Sequence, residues 1–71
     1  KGDNTMGFNE KLRNLRKVRG LSQSMLSKLT DIPQTTISDW ETEKTSPDLK
    51  QLKILCDVLN VSVIQLIDDI A

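Results

Sequence analysis

Gln34, Thr35, Ser38, Asp39 and Thr42 recur at helical spacing in PQTTISDWET, residues 33–42. Residues three or four apart share one face of an α-helix. Thr35, Ser38, Asp39 and Thr42 therefore make a single hydrophilic stripe, with Gln34 at its N-terminal edge. Neither a large apolar side chain nor a lysine interrupts it. The donors and acceptors of that stripe match the edges of base pairs. Gln can bond N6 and N7 of adenine, Ser and Thr can donate or accept, and a Thr methyl can touch the methyl of thymine. Asp39 could accept from N4 of cytosine, though it would repel nearby phosphates. Any polar helix face has a similar composition, so the stripe alone leaves both readings open.

Five helices have to position that face, and no segment alternates like a strand, so the expected class is all-α. Helix 1 is expected over about Asn9–Arg19, with Phe8, Leu12 and Leu15 on one face and Gly20 closing it. Ser22 is a good N-cap for helix 2, which presents Met25, Leu26 and Leu29, and Asp31 makes the turn, because Asp tolerates left-handed backbone. Pro33 suits the first position of helix 3, which runs to about Thr42. Ser46-Pro47 opens helix 4, which runs to Leu59 with Leu49, Leu52, Leu55, Cys56 and Leu59 inward; Asn60 ends it. Ser62 and Gln65 form a capping box for helix 5, which carries Val63, Leu66, Ile67 and Ile70. Trp40 is expected to be the largest piece of the core.

The bulk composition narrows the function. At 71 residues the chain is one domain, and a core of this size rarely supplies more than about 3–5 kcal/mol of net stability. Residues 1–7 read as a polar arm or an appended remnant, and residues 8–71 as the folded domain. One cysteine and no histidine leave no internal disulfide and no zinc set, so Cys56 is expected as a small core residue. Neither a metal nor a cofactor is expected. With no histidine, no tyrosine and no glycine-rich phosphate loop, no constellation for catalysis is present. The sequence shows neither a span of about 18 apolar residues nor a signal pattern. A cytoplasmic protein is therefore expected, which also suits a lone thiol.

Formal net charge is zero, yet it is unevenly spread. Residues 1–28 hold seven basic and two acidic groups, a local charge of +5, and the remainder carries −5. A polyanion responds to that local potential rather than to the total.

Ile37, Trp40 and Glu41 fall together on the other face of helix 3, which draws Glu41 toward the core. Breaking a buried pair by removing one member costs about 3–5 kcal/mol, so a carboxylate there needs a partner. Arg16, four residues after Leu12, is the expected one, tying helix 1 to helix 3.

In order and spacing, Leu15-Arg16, Gly20-Leu21-Ser22-Gln23, Ile37-Ser38, Trp40-Glu41, Pro47 and the run LNVSVIQLI at residues 59–67 resemble one family. It is the helix-turn-helix domain of the phage repressor/Cro type, also called the xenobiotic-response-element family, and the likeness covers about residues 8–70. The resemblance implies a compact, lambda-repressor-like five-helix bundle in which helices 2 and 3 form the helix-turn-helix and helix 3 enters the major groove of double-stranded DNA. It implies base contacts by Gln34, Thr35 and Asp39, with Thr36 and Ser38 close by. Backbone contacts fall to Gln23, Ser22 and Ser24 and to Lys44, Thr45 and Ser46, while Arg16 and Glu41 match the family's structural ion pair. Gln23 would bond a phosphate and buttress Gln34. Asp31 and Glu43 depart from the glycine that many relatives have there. Pro33 replaces a Ser or Thr cap and removes one possible phosphate contact.

The expected function is a sequence-specific transcriptional regulator, a repressor, binding as a homodimer, with Val63, Ile64, Ile67 and Ile70 offered as the dimer surface. No small-molecule substrate and no membrane enter this expectation. The alternative is a protein-interaction module, antitoxin-like or anti-repressor, that keeps the fold without tight DNA binding.

Overall fold

The computed structural model describes residues 7–67. Five helices follow one another: α1 (Phe8–Val18), α2 (Gln23–Thr30), α3 (Gln34–Glu41), α4 (Leu49–Leu59) and α5 (Val63–Ile67). Among the described residues there is no strand. α2 packs on α3 and α4, α1 on α3 and α5, and α4 on α5. The centre is a contiguous cluster in which Leu12, Leu26, Ile37, Leu55, Leu59 and Leu66 are fully buried, with Trp40 beside them. Cys56 belongs to this cluster and is a free thiol. Burial pushes that thiol above its usual pKa, and the neighbouring Asp57 charge adds to the effect.

The four longer helices leave through left-handed backbone. Gly20, Asp31, Glu43 and Asn60 have φ of 72°, 61°, 64° and 59°. That geometry turns the next N–H back onto a helix carbonyl that would otherwise lack a donor. Leu21 N–H reaches Arg16 O at 3.0 Å, Lys44 N–H reaches Asp39 O at 2.8 Å, and Val61 N–H reaches Cys56 O at 3.0 Å. Only Gly20 takes the geometry without steric cost. Glu43 is the least suited, because a long side chain gives no local hydrogen bond in return. Glu43→Gly is expected to relieve about 1–2 kcal/mol of strain against about 0.5–1 kcal/mol of added chain entropy. The result is a rise in Tm of a few degrees, measured by thermal denaturation at neutral pH.

Several boundaries differ from those expected. Pro33 is the N-cap of α3, not its first helical residue. Its ring fixes φ at −55° while ψ of 141° keeps it extended, and its carbonyl takes the N–H groups of Thr36 and Ile37. α4 begins at Leu49, not at Pro47, because Asp48 is a stronger cap than Ser46. Its carboxylate accepts from Gln51 N–H at 2.8 Å, and Gln51 Oε1 accepts from Asp48 N–H at 2.9 Å, a reciprocal box. Leu49 is 63% exposed and so is not the inward residue expected, and of the apolar set that α2 presents only Leu26 is buried, with Met25 and Leu29 47% and 59% exposed. Helical phase fixes which residues share a stripe but not how much of it neighbouring helices cover. On α2 the covered part is the flank of Leu26 and Thr30. At α5 the expected box is present, with Gln65 N–H to Ser62 Oγ at 3.1 Å and Ser62 N–H to Gln65 Oε1 at 3.0 Å.

Candidate nucleic-acid interface

The angle between α2 and α3 is fixed by hydroxyls in the turn. Thr30 Oγ1, buried, donates to Leu26 O at 2.7 Å and accepts from Ile32 N–H at 3.3 Å. Ser27 Oγ donates to the carbonyl of Ile32. Ile32 itself is driven into the core. The turn is thus held by side-chain bonds on both sides and by an apolar anchor between them.

This turn delivers α3 with its two faces sorted. Ile37, Trp40 and Glu41 are buried. Gln34 and Thr35 are exposed, and Thr36, Ser38 and Asp39 are half-buried. Thr42 is exposed, but its hydroxyl donates to Ser38 O at 2.9 Å and Asp39 O at 3.3 Å, so its donor is spent on its own helix. Ser22 and Ser24 are exposed at the start of α2, where Ser22 Oγ caps the helix by accepting from Met25 N–H at 3.0 Å. Lys44, Thr45 and Ser46 are exposed in the loop after α3. Gln34 and Thr35 at the head of α3, the start of α2 and this loop are thus all open to solvent.

Behind the surface lies a charged cluster. Arg16 Nε donates to Glu41 Oε2 at 2.7 Å and Arg16 Nη2 to Glu41 Oε1 at 3.0 Å, a bidentate pair. Arg16 Nη1 also donates to Leu21 O at 2.9 Å, joining the end of α1 to the entry of α2. Gln23 Nε2 donates to Glu41 Oε1 at 3.0 Å. The resemblance had paired Gln23 with Gln34; here its N–H goes to Glu41. Burial alone would raise the Glu41 pKa. The hydrogen bonds from Arg16 and Gln23, together with the charges of Arg16 and Arg13, outweigh burial and hold it below its ordinary value. Arg13, which residue spacing did not single out, donates from Nη2 to the Glu41 carbonyl at 3.0 Å. It thereby caps the last turn of α3.

Of the residues offered as a dimer surface, Ile64 is 67% exposed. Val63 is half-buried and packs on the core cluster. The Ile67 side chain and Ile70 lie outside the described residues. Among the described residues no cluster of acidic, cysteine or histidine side chains is arranged to hold a metal ion, and no helix is long and apolar enough to cross a membrane.

Comparison with known proteins adds a sequence relation and a fold relation. A family model described as helix-turn-helix matches residues 12–66. The HTH-type transcriptional activator BcrR of Enterococcus faecalis is 36% identical over 62 residues, which cover 87% of this chain and 30% of that protein. The chain therefore spans less than a third of that relative's length. The P22 c2 repressor, solved in complex with a synthetic operator, aligns with a TM-score of 0.85 and 29% identity over 93% of this chain and 100% of the other. The restriction-modification controller protein C.AhdI of Aeromonas hydrophila aligns with a TM-score of 0.79 and 27% identity over 83% of this chain and 89% of that one.

Proposed function

The chain belongs to the helix-turn-helix family of the phage repressor/Cro type, and from that premise we propose that it binds double-stranded DNA sequence-specifically as a transcriptional repressor. α3 lies in the major groove, with Gln34, Thr35 and Asp39 on base edges and Thr36 and Ser38 beside them. Ser22, Gln23 and Ser24 meet one stretch of backbone, and Lys44, Thr45 and Ser46 meet another. The protein acts as a homodimer through α5, centred on Ile64. Its half-sites then sit one helical turn apart, about 34 Å.

The observation carrying this reading is the sorting of α3, whose apolar face is fully buried while Gln34 and Thr35 stand in solvent. Such a face contributes little to stability, and its groups are free to exchange water for base edges. The test is selection from a random duplex pool at two ionic strengths. A shared motif should emerge, with affinity falling steeply as salt rises, because each neutralised phosphate releases counterion. A pool that returns no motif and a flat salt response would refute the proposal.

On the selected site, Gln34→Ala is expected to cost about 1–3 kcal/mol and to relax preference at one base pair, read by binding to a panel of single-base variants. Asp39→Asn is expected to tighten binding to random duplex, because it removes a carboxylate from beside the phosphates. Competition against an unrelated duplex would show it.

One observation favours a second reading, a protein-interaction module. Net charge is zero, and Asp39 and Glu43 bring negative charge to the region of α3. A tight but salt-insensitive partner would support that reading instead.

A further inference from the structure

The bond from Gln23 to Glu41 gives the buried carboxylate a task besides neutralising Arg16. Gln23 is the first residue of α2 and Glu41 the last of α3, so one carboxylate links the opening of one helix to the close of the other. A carboxamide nitrogen carries two N–H groups. Glu41 takes one of them at 3.0 Å. Glu41 is itself held from the other side by the bidentate guanidinium of Arg16, and its backbone carbonyl is held by Arg13. With Glu41 2% exposed and clamped by three side chains, the Gln23 amide is tied to a fixed point in the core. A free glutamine at a helix start would instead sample several rotamers, and fixing them on binding would cost entropy.

We propose that Glu41 is the positioning residue for backbone recognition at the start of α2. It fixes the Gln23 carboxamide so that the second N–H, with the neighbouring hydroxyls of Ser22 and Ser24, meets a phosphate oxygen of the duplex. This rests on the reading that the chain binds DNA. In consequence the base-reading helix and the backbone clamp move as one body.

The test uses the full chain and a duplex of unselected sequence at one fixed salt concentration. Removing Glu41 alone would leave Arg16 buried without a partner, so Arg16→Met and Glu41→Met are introduced together, which discards both charges at once. That paired variant and Gln23→Met are each expected to weaken duplex binding by about tenfold, and all three substitutions together by no more than either. If the losses multiply to about a hundredfold, or the paired variant binds like the parent, Glu41 does not act through Gln23. A second measurement needs no variant. In the unbound protein, the side-chain N–H resonances of Gln23 should shift as Glu41 takes up a proton on acidification. Resonances indifferent to that titration overturn the proposal even if the paired variant fails to fold. A parent protein that binds no duplex at any salt sinks the DNA-binding reading and this one together. Binding without coupling sinks only this one.

Discussion

Glu41→Ala is expected to unfold the domain at room temperature. The substitution leaves Arg16, only 11% exposed, without a counter-charge, at a cost of about 3–5 kcal/mol. That equals the whole net stability of a core this small. Circular dichroism at 25 °C in the absence of denaturant is the direct check, and a folded, cooperative spectrum would count against it. The paired change to two methionines is expected to stay folded, since it trades an ion pair for apolar contact. The same carboxylate sets an acid limb. Its pKa in the folded protein lies below the ordinary 4.5, so the unfolded chain takes up the proton first as pH falls. The stabilisation is therefore complete at neutral pH, begins to fade near pH 4.5, and is lost as pH drops through the folded-state value. Urea midpoints measured from pH 7 to pH 3 should fall in the parent more than in the two-methionine variant.

Trp40→Ala and Thr35→Ala should separate stability from binding on a single helix. Trp40 is 2% exposed at the centre of the cluster, and truncating a buried tryptophan costs about 3–5 kcal/mol through lost transfer energy and the cavity left behind. Thr35 is exposed, and its replacement should change stability by no more than about 0.5 kcal/mol. For duplex affinity the order reverses among variants that remain folded: Thr35→Ala weakens binding with an unchanged melting curve. A Thr35→Ala protein that melts early would mean that the bare face of α3 is under structural load.

Much of this arrangement is local and therefore legible in the residues. The five helices, the left-handed exits at Asp31 and Asn60, the Ser62–Gln65 box and the burial of Trp40 all follow from short-range rules. Arg16 and Glu41 were expected to meet because each continues an apolar stripe with a charged group, and they meet at 2.7 Å. Competition between neighbouring signals is harder to resolve. Ser46-Pro47 and Asp48 are all valid helix starts, and the carboxylate wins because Gln51 returns its bond. The exposure of Met25, Leu29 and Leu49 depends on where other helices end, which periodicity does not encode. The partner of Gln23 lies 18 residues away. Arg13 bonds a backbone carbonyl, an acceptor that every residue type provides, so no pattern of side chains could announce it.

The burial of Cys56 has a practical consequence. A thiol at 6% exposure, with its ionisation further suppressed, is closed to alkylating reagents for as long as the helices stay together. Modification must wait for the bundle to open, so the rate of labelling counts openings in a protein that needs no added probe. Any ligand that grips only the closed form slows that clock by a factor of one plus its free concentration divided by its Kd. A duplex at 100 times its Kd should lengthen the labelling time by about a hundredfold. A single buried thiol on α4 would thus time how long an operator holds the fold shut.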